Sequence, residues 1–442
     1  MSFSIVEAFG HLNLGRAVVE SFVLRVFNLL LVLGCSVILA RSLGPAEFGV
    51  YAYMFAVVTL LALPAQVGLP TLIVRETAKA YGRDDWSTLQ RLWGWGGTLV
   101  LVSSSVILVV GLIFAWFLRD AVEQKYLSTY IVGLFLVPML ALSSLRGAAL
   151  RGLRLIGRGQ LPESIIRPLL LALLVIGLPL MGLGFTAVNA MLMHLVAATC
   201  AFAVGAVFLW RAGARRMAVT LSELKDTKAW LASIMPLAFV AAMQTLSNQT
   251  DIVMLGILME DANVGIYKVV VSGTGLILFG LQIANMVISP RLASHYAQNE
   301  LVRLQQVVTF GVALSAAIAI PITFVLIVWG DRILGFVYGM EYVAGYSTLV
   351  ILAVSQALNA MFGSVGMLLN MSGHERYSAL WLGVSTLANI SLNLILIPEF
   401  GMVGAAFATL ISVCIWNVAF WRLAMRKIGI DASFLSVFKQ LV

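Results

Sequence analysis

Charge is what this sequence most lacks. Only 11% of its 442 residues are Asp, Glu, Lys or Arg, 61% are apolar, and its mean hydropathy is +0.99. A water-soluble domain has roughly a quarter of its residues charged and about half apolar. A chain this apolar cannot hide its surface in a water-soluble core, so it is read as an integral membrane protein. Cysteine is scarce as well. Cys35, Cys200 and Cys414 lie far apart, each inside an apolar stretch. That spacing excludes a disulfide framework or a metal site and leaves small packing residues. No hydrophilic stretch is long enough to be a domain, and no Gly-x-x-x-x-Gly-Lys-[Ser/Thr] phosphate cradle occurs. No metal and no cofactor is expected. The N-terminal segment, Met1 to Gly15, is short and mixed and lacks a secretory pattern, so the first apolar run is expected to be a spanning helix.

What the sequence does hold is a series of apolar stretches about 20 residues long, enough for helices crossing a hydrocarbon core of about 30 Å. They show no strict apolar–polar alternation, which argues against a transmembrane barrel. Twelve spans are expected, at about 18–40, 48–73, 93–118, 128–150, 164–184 and 186–210, then 231–258, 262–290, 305–330, 343–370, 376–397 and 402–424. The 28 Lys and Arg residues test this layout. Twenty fall in the two tails and in the loops after spans two, four, six, eight and ten, while four (Arg41, Arg119, Lys125 and Arg332) fall on the opposite side. Basic residues collect in cytoplasmic loops, so both termini are expected in the cytoplasm. The net charge of +8 then reflects topology rather than nucleic-acid binding. The expected organisation is an N-terminal six-helix bundle (1–212), a cytoplasmic linker (213–230), a C-terminal six-helix bundle (231–424) and a cytoplasmic tail (425–442).

One turn occurs twice. ARSLGPAEFGVYAY, Ala40 to Tyr53, and LMEDANVGIYKV, Leu258 to Val269, each sit between two apolar stretches. A shift of 216 carries Gly49 onto Gly265, Tyr51 onto Tyr267, Leu60 onto Leu276, Gln66 onto Gln282 and Arg75 onto Arg291 without a gap, and Gly157 onto Gly373. Two halves of six spans would have the same orientation and be related by an axis along the membrane normal. Such halves are expected to face a central cavity and give alternating access by rocking.

ARSLGPAEFGVYAY followed by VGLPTLIVRETA (Val67 to Ala78), with QTDIVMLGILMEDANVGIYKV (Gln249 to Val269) in the second half, resembles the oligosaccharide flippases. That family is also called the polysaccharide biosynthesis proteins, includes O-antigen flippases, and belongs to the multidrug/oligosaccharidyl-lipid/polysaccharide (MOP) exporter superfamily. The resemblance implies an all-α integral membrane protein with twelve transmembrane helices in two six-helix repeats around a central cavity. It implies a non-enzymatic flippase that moves undecaprenyl-pyrophosphate-linked oligosaccharide from the cytoplasmic to the periplasmic leaflet of the bacterial inner membrane. The expected partners are that polyprenyl-pyrophosphate-linked glycan, the lipid bilayer and polysaccharide assembly enzymes (a polymerase and glycosyltransferases), with no nucleic acid.

A pyrophosphate in transit needs cations in a wet cavity and hydrogen-bonding groups for the sugars. Charges inside spans cost on the order of 2.5–3.5 kcal/mol each, so they are candidates by default. The candidate cations are Arg25, Lys268, Arg146 and Arg167. Arg25 and Lys268 also match by position the basic residues that the superfamily places in its first and eighth helices. Arg146 and Arg167 lie near span ends, where snorkelling to the surface is the stronger reading. Pro168 is expected to loosen the helix beside Arg167 and free backbone carbonyls. Asp251, in the polar run QTLSNQTD, is the one carboxylate placed clearly within a span. Its two readings are an ion pair with Lys268, which is favoured, or a site for a coupling proton or Na⁺. Asn248, Gln249, Gln282 and Asn285 either meet sugar hydroxyls or bond between helices.

Two other functions would need features of a different kind. A cation-coupled drug or metabolite antiporter of the same superfamily favours embedded acids, whereas here embedded cations outnumber embedded acids four to one. A membrane glycosyltransferase or polymerase needs paired carboxylates in a polar domain. Asp84-Asp85 is the single candidate acidic pair in a polar loop on the cytoplasmic side, and a solvated loop explains it.

Overall fold

The computed structural model describes residues 12–66, 68–213, 227–434, 436 and 437, and every regular element among them is a helix. In chain order these are α1 (Leu12–Gln66), α2 (Leu69–Tyr81), α3 (Trp86–Leu118), α4 (Gln124–Leu134), α5 (Leu136–Gly152), α6 (Ile156–Leu161), α7 (Arg167–Ile176), α8 (Ala187–Ala212), α9 (Thr227–Leu258), α10 (Asp261–Ala297), α11 (Leu301–Ile333), α12 (Tyr346–Met361), α13 (Val365–Met371) and α14 (Glu375–Lys427). Nine helical stretches among the described residues are long and apolar enough to cross a membrane. The two longest, Leu24–Gln66 and Glu375–Lys427, are each a pair of helices joined at a glycine. At Gly44 (φ 71, ψ 171) and Gly401 (φ 59, ψ −134) the backbone takes a left-handed turn that only glycine adopts at little cost. Pro45 follows Gly44 at the first position of the next helix, where its missing N–H costs nothing.

Several span boundaries differ from the sequence expectation, three of them for a clear physical reason. The second span ends at Gln66 rather than near residue 73, because Gly68 (φ 68) turns the chain and Pro70 starts the separate helix α2. The tenth ends at Met361 rather than near residue 370, because Gly363 (φ 58) turns the chain into α13. The fifth begins about eight residues early and runs Ile156–Ile176. Its first turns carry Arg158 and Glu163 and so have the polarity of a loop. Of the linker expected over 213–230, residues 214–226 lie outside the described residues.

Contacts divide the chain into two compact units, Met1–Thr245 and Leu246–Val442, with the boundary inside α9. In the first unit α5 is central and packs on α1, α2, α3 and α8. Between α6 and α7 the chain widens into a π-turn, Pro162–Ile166. In an α-helix the Ser164 carbonyl would accept from residue 168, but Pro168 has no N–H to give. Asn28 of α1 supplies the missing donor, its Nδ2 lying 2.7 Å from the Ser164 oxygen. In the second unit α10, α11 and α12 pack mutually and α14 packs on α12 and α13. One end of this unit is closed by a core containing Ile288, Leu292, Leu304, Leu368, Phe420 and Ala424.

Candidate functional site

Each unit holds a polar centre inside its apolar helices. In the second unit the centre is Asp251 of α9, only 9% exposed. Its Oδ1 accepts from Asn393 Nδ2 at 2.7 Å and from Asn389 Nδ2 at 3.2 Å. Its Oδ2 accepts from Tyr267 of α10 at 2.7 Å and from Thr409 Oγ1. Asn389 and Asn393 lie four residues apart and so share one face of the first arm of α14. The break at Gly401 folds the second arm back and brings Thr409 to the same carboxylate. The close return depends on Gly404, where any Cβ would run into the Leu396 carbonyl. Four neutral donors therefore surround one buried carboxylate. Asn393 Oδ1 is also buried and has no hydrogen-bond partner.

In the first unit the centre is Glu163, held in the π-turn. Its Oε1 meets Arg146 Nη2 of α5 at 3.0 Å and its Oε2 meets Arg167 Nη1 of α7 at 3.1 Å. Arg146 is 4% exposed and also donates through Nη1 to the Ala201 and Phe202 carbonyls of α8, at 3.0 and 2.8 Å. Its guanidinium lies 5.6 Å from the Phe202 ring centroid. Arg167 is 26% exposed and remains partly accessible. Snorkelling is thus corrected for Arg146: its guanidinium is a buried cross-link between α5, the π-turn and α8. Asp251 is likewise not the one embedded carboxylate, since Glu163 lies within the span Ile156–Ile176.

The repeated turn has a structural counterpart in each unit. Tyr51 and Tyr267, 216 positions apart, are both buried, and each hydroxyl is hydrogen-bonded. Tyr51 pairs with His194 Nδ1 of α8 at 2.8 Å, and Tyr267 pairs with Asp251, which Thr409 also reaches. The same shift places His194 at position 410, next to Thr409. The turn motif also carries Glu47, whose Oε2 accepts from Ala187 N at 2.7 Å. A carboxylate there satisfies one free N–H of α8 and sits at the positive end of its dipole.

The favoured ion pair between Asp251 and Lys268 does not form. Asp251 is bonded by Tyr267, and successive helix positions point about 100° apart, so Lys268 is turned away. Lys268 is half-buried and pairs with no carboxylate among the described residues. Gln282, fourteen residues on, lies within about 40° of Lys268 around α10 and is exposed. Asn285 is half-buried with its Oδ1 buried and unpartnered. Asn248 is exposed and Gln249 half-buried, one turn or less before Asp251. Arg25 is half-buried one turn before Asn28 on α1. Among the described residues no cluster of three or more His, Cys, Asp or Glu could hold a metal. The acidic pair Asp84-Asp85 is fully used by local structure. Asp84 accepts from Trp86 Nε1 at 2.8 Å, and Asp85 caps α3 by accepting from Thr88 N at 3.0 Å. Hydrogen bonds from Thr88 and Ser87 lower the Asp85 carboxyl from 3.8 to about 2.

Helical breaks at glycine, a charged centre in each unit and no strand among the described residues define an all-α, multi-span membrane protein. The arrangement is that of the MOP exporters. It matches a multidrug-resistance MATE transporter of the MOP superfamily in its inward-facing form (TM-score 0.75, 15% identity, 91% of this chain and 94% of that one). It also matches the lipid II flippase MurJ in an inward closed form (TM-score 0.73, 12% identity, 96% and 90%). At these identities the likeness is one of fold. The sequence pattern of the polysaccharide biosynthesis protein family matches residues 14–296, and the MatE pattern matches residues 236–395. The chain belongs to the polysaccharide biosynthesis protein family. A similar chain is the probable low-salt glycan biosynthesis flippase Agl15 of Haloferax volcanii, 24% identical over 92% of this chain and 82% of that one.

Proposed function

We propose that this protein is a flippase for a polyprenyl-pyrophosphate-linked oligosaccharide, undecaprenyl pyrophosphate being the carrier in a bacterial inner membrane. It works by alternating access, with residues 1–212 and 231–424 as its helical halves and both termini cytoplasmic. It is a transporter rather than an enzyme and feeds polysaccharide assembly enzymes. One observation carries the reading: Lys268 stands inside a span with no carboxylate partner among the described residues, while Asp251, the carboxylate expected to pair with it, is satisfied by neutral donors. A cation left unneutralised in a span is a place for an anionic head group. Arg25 and the accessible part of Arg167 extend that role, and Arg146 holds Arg167 in place through Glu163. Gln282, Asn285, Asn248 and Gln249 serve the sugar hydroxyls. The name of the relative Agl15, a probable glycan biosynthesis flippase, supports a flippase role in glycan biosynthesis. The test is flipping in vesicles: purified protein is reconstituted with a polyprenyl-pyrophosphate-linked oligosaccharide, and inner-leaflet glycan reaching an external lectin is followed. Transfer by the protein and none by protein-free vesicles is expected; equal transfer in both refutes the function.

A second reading, cation-coupled exchange, has its own observation in the Asp251 centre. Its oxygens, with the unpartnered Asn393 Oδ1 beside them, suit a proton or a small monovalent cation. In a flippase the same centre would serve as the coupling site. In an antiporter it would drive export of a soluble compound, and transport of a cationic dye but no lipid-linked glycan would favour that reading.

A further inference from the structure

The second unit carries a groove lined by none of the candidate site residues named above. It has a volume of about 460 Å³ and is lined along α14 by Cys414, Ile415, Val418, Arg422 and Arg426, with Trp381 on the facing arm. Apart from the two guanidinium groups its walls are apolar. Arg422 and Arg426 are four residues apart, so they share one face. Both are exposed, and neither pairs with a carboxylate among the described residues. Cys414 and Arg426 are twelve residues apart, about 18 Å along a helix. One leaflet of a hydrocarbon core is about 15 Å deep. The groove therefore starts at the two arginines and runs inward by about one leaflet.

The arginine end lies at the membrane boundary. Tyr377 is exposed there, Trp381 lies one turn on, and Lys427 sits 5.7 Å from the Tyr377 ring centroid. Aromatic rings with Lys and Arg mark the interface level of a bilayer. Arg291, Arg303 and Arg376 lie close in sequence to the core that closes this end of the unit, which is its basic end. Complementing the helix dipole accounts for basic residues in the last turn of α14, Arg426 and Lys427. It accounts neither for Arg422 nor for an apolar seat one leaflet deep. A soluble anion has no use for that seat.

We propose that this groove binds one anionic phospholipid, its phosphate between Arg422 and Arg426 and an acyl chain along Val418, Ile415 and Cys414. The charge selects an anionic head group, and the depth selects a lipid. Each cation near a membrane surface contributes about 1 kcal/mol to holding an anionic lipid. Removing both should lower the preference for the anionic lipid about 30-fold, at tenfold per 1.4 kcal/mol.

The full-length protein would be purified in mild detergent and offered phosphatidylglycerol and phosphatidylethanolamine in equal amounts. Retained lipid would be read by native mass spectrometry and maleimide labelling at Cys414 by peptide mass. The wild type is expected to retain phosphatidylglycerol in preference, with Cys414 labelling slowed by that lipid alone. Arg422→Gln/Arg426→Gln is expected to lose the preference, and the control Arg291→Gln/Arg303→Gln to keep it. Val418→Trp fills the groove without touching a charge, is expected to lose retention as well, and decides the matter if the double variant fails to fold. Equal phosphatidylglycerol retention in the double variant and the control would overturn the proposal. So would equal protection of Cys414 by both phospholipids. Stronger retention of a polyprenyl phosphate offered alongside would overturn it in favour of a substrate-lipid site.

Discussion

The guanidinium of Arg146 occupies the space that a side chain at residue 205 would fill, since a Cβ added to Gly205 would collide with its Cζ, Nη1 and Nε. Gly205 lies one turn beyond Ala201, whose carbonyl Arg146 binds at 3.0 Å. The glycine is what lets α8 approach a buried arginine on α5. Arg146 in turn holds Glu163, and Glu163 holds Arg167.

Gly205→Val should therefore expel Arg146 and leave Glu163 with one partner. Breaking a buried ion pair by removing one member costs about 3–5 kcal/mol. The expected outcome is a lower melting temperature in detergent, with Gly205→Ala intermediate. A Gly205→Val protein as stable as the wild type contradicts the packing described here.

The Asp251 centre predicts a split between folding and coupling. Asn393→Leu and Thr409→Val each remove a donor from a buried carboxylate and should cost about 1–3 kcal/mol of stability. Asp251→Asn keeps the shape and removes the charge. It should preserve fold and substrate binding while abolishing the response of transport to an imposed Na⁺ or proton gradient. An Asp251→Asn protein that still responds to the gradient excludes this residue as the coupling site.

Asp85 gives a pH prediction outside the membrane. Its carboxyl is lowered in the folded state from 3.8 to about 2 by the Thr88 and Ser87 hydrogen bonds. The cap's contribution is therefore complete above about pH 4 and is lost as pH falls through about 2. The group lies half-buried at the protein surface, where solvent screens it, so the effect is small. Asp85→Ala should cost about 1 kcal/mol at neutral pH, and Asp85→Asn much less. Hydrogen exchange at the first turn of α3 would measure both, and equal protection in all three proteins at neutral pH contradicts the cap.

The membrane class and the turn at Gly44 were legible from composition and spacing. Gly44 sits where the chain must reverse between apolar runs, and glycine is a local signal. Pro168 also announced a free carbonyl, which Asn28 now fills. Glu163 was not legible, because its polarity pushed the expected start of the fifth span past it. A carboxylate neutralised by arginines from two helices can lie in a span, and that pairing, with Arg146 on α5, is a tertiary fact. Asn389 and Asn393 did carry a signal: two amides four residues apart in an apolar run mark one polar helix face. Tyr267 was missed as the partner of Asp251: it lies about 100° around α10 from Lys268, a rotation that uncertain span ends do not fix.

The central claim is that Lys268 receives an anionic head group. The most direct measurement is surface glycan in a strain lacking its own exporter, complemented with Lys268→Ala or Lys268→Arg at matched membrane levels. A hydrogen bond to a charged group is worth about 1.5–3 kcal/mol, so the alanine variant should export about tenfold less or worse, and the arginine variant should retain most activity. Wild-type export by Lys268→Ala would contradict the account and leave the cation without a role in transport.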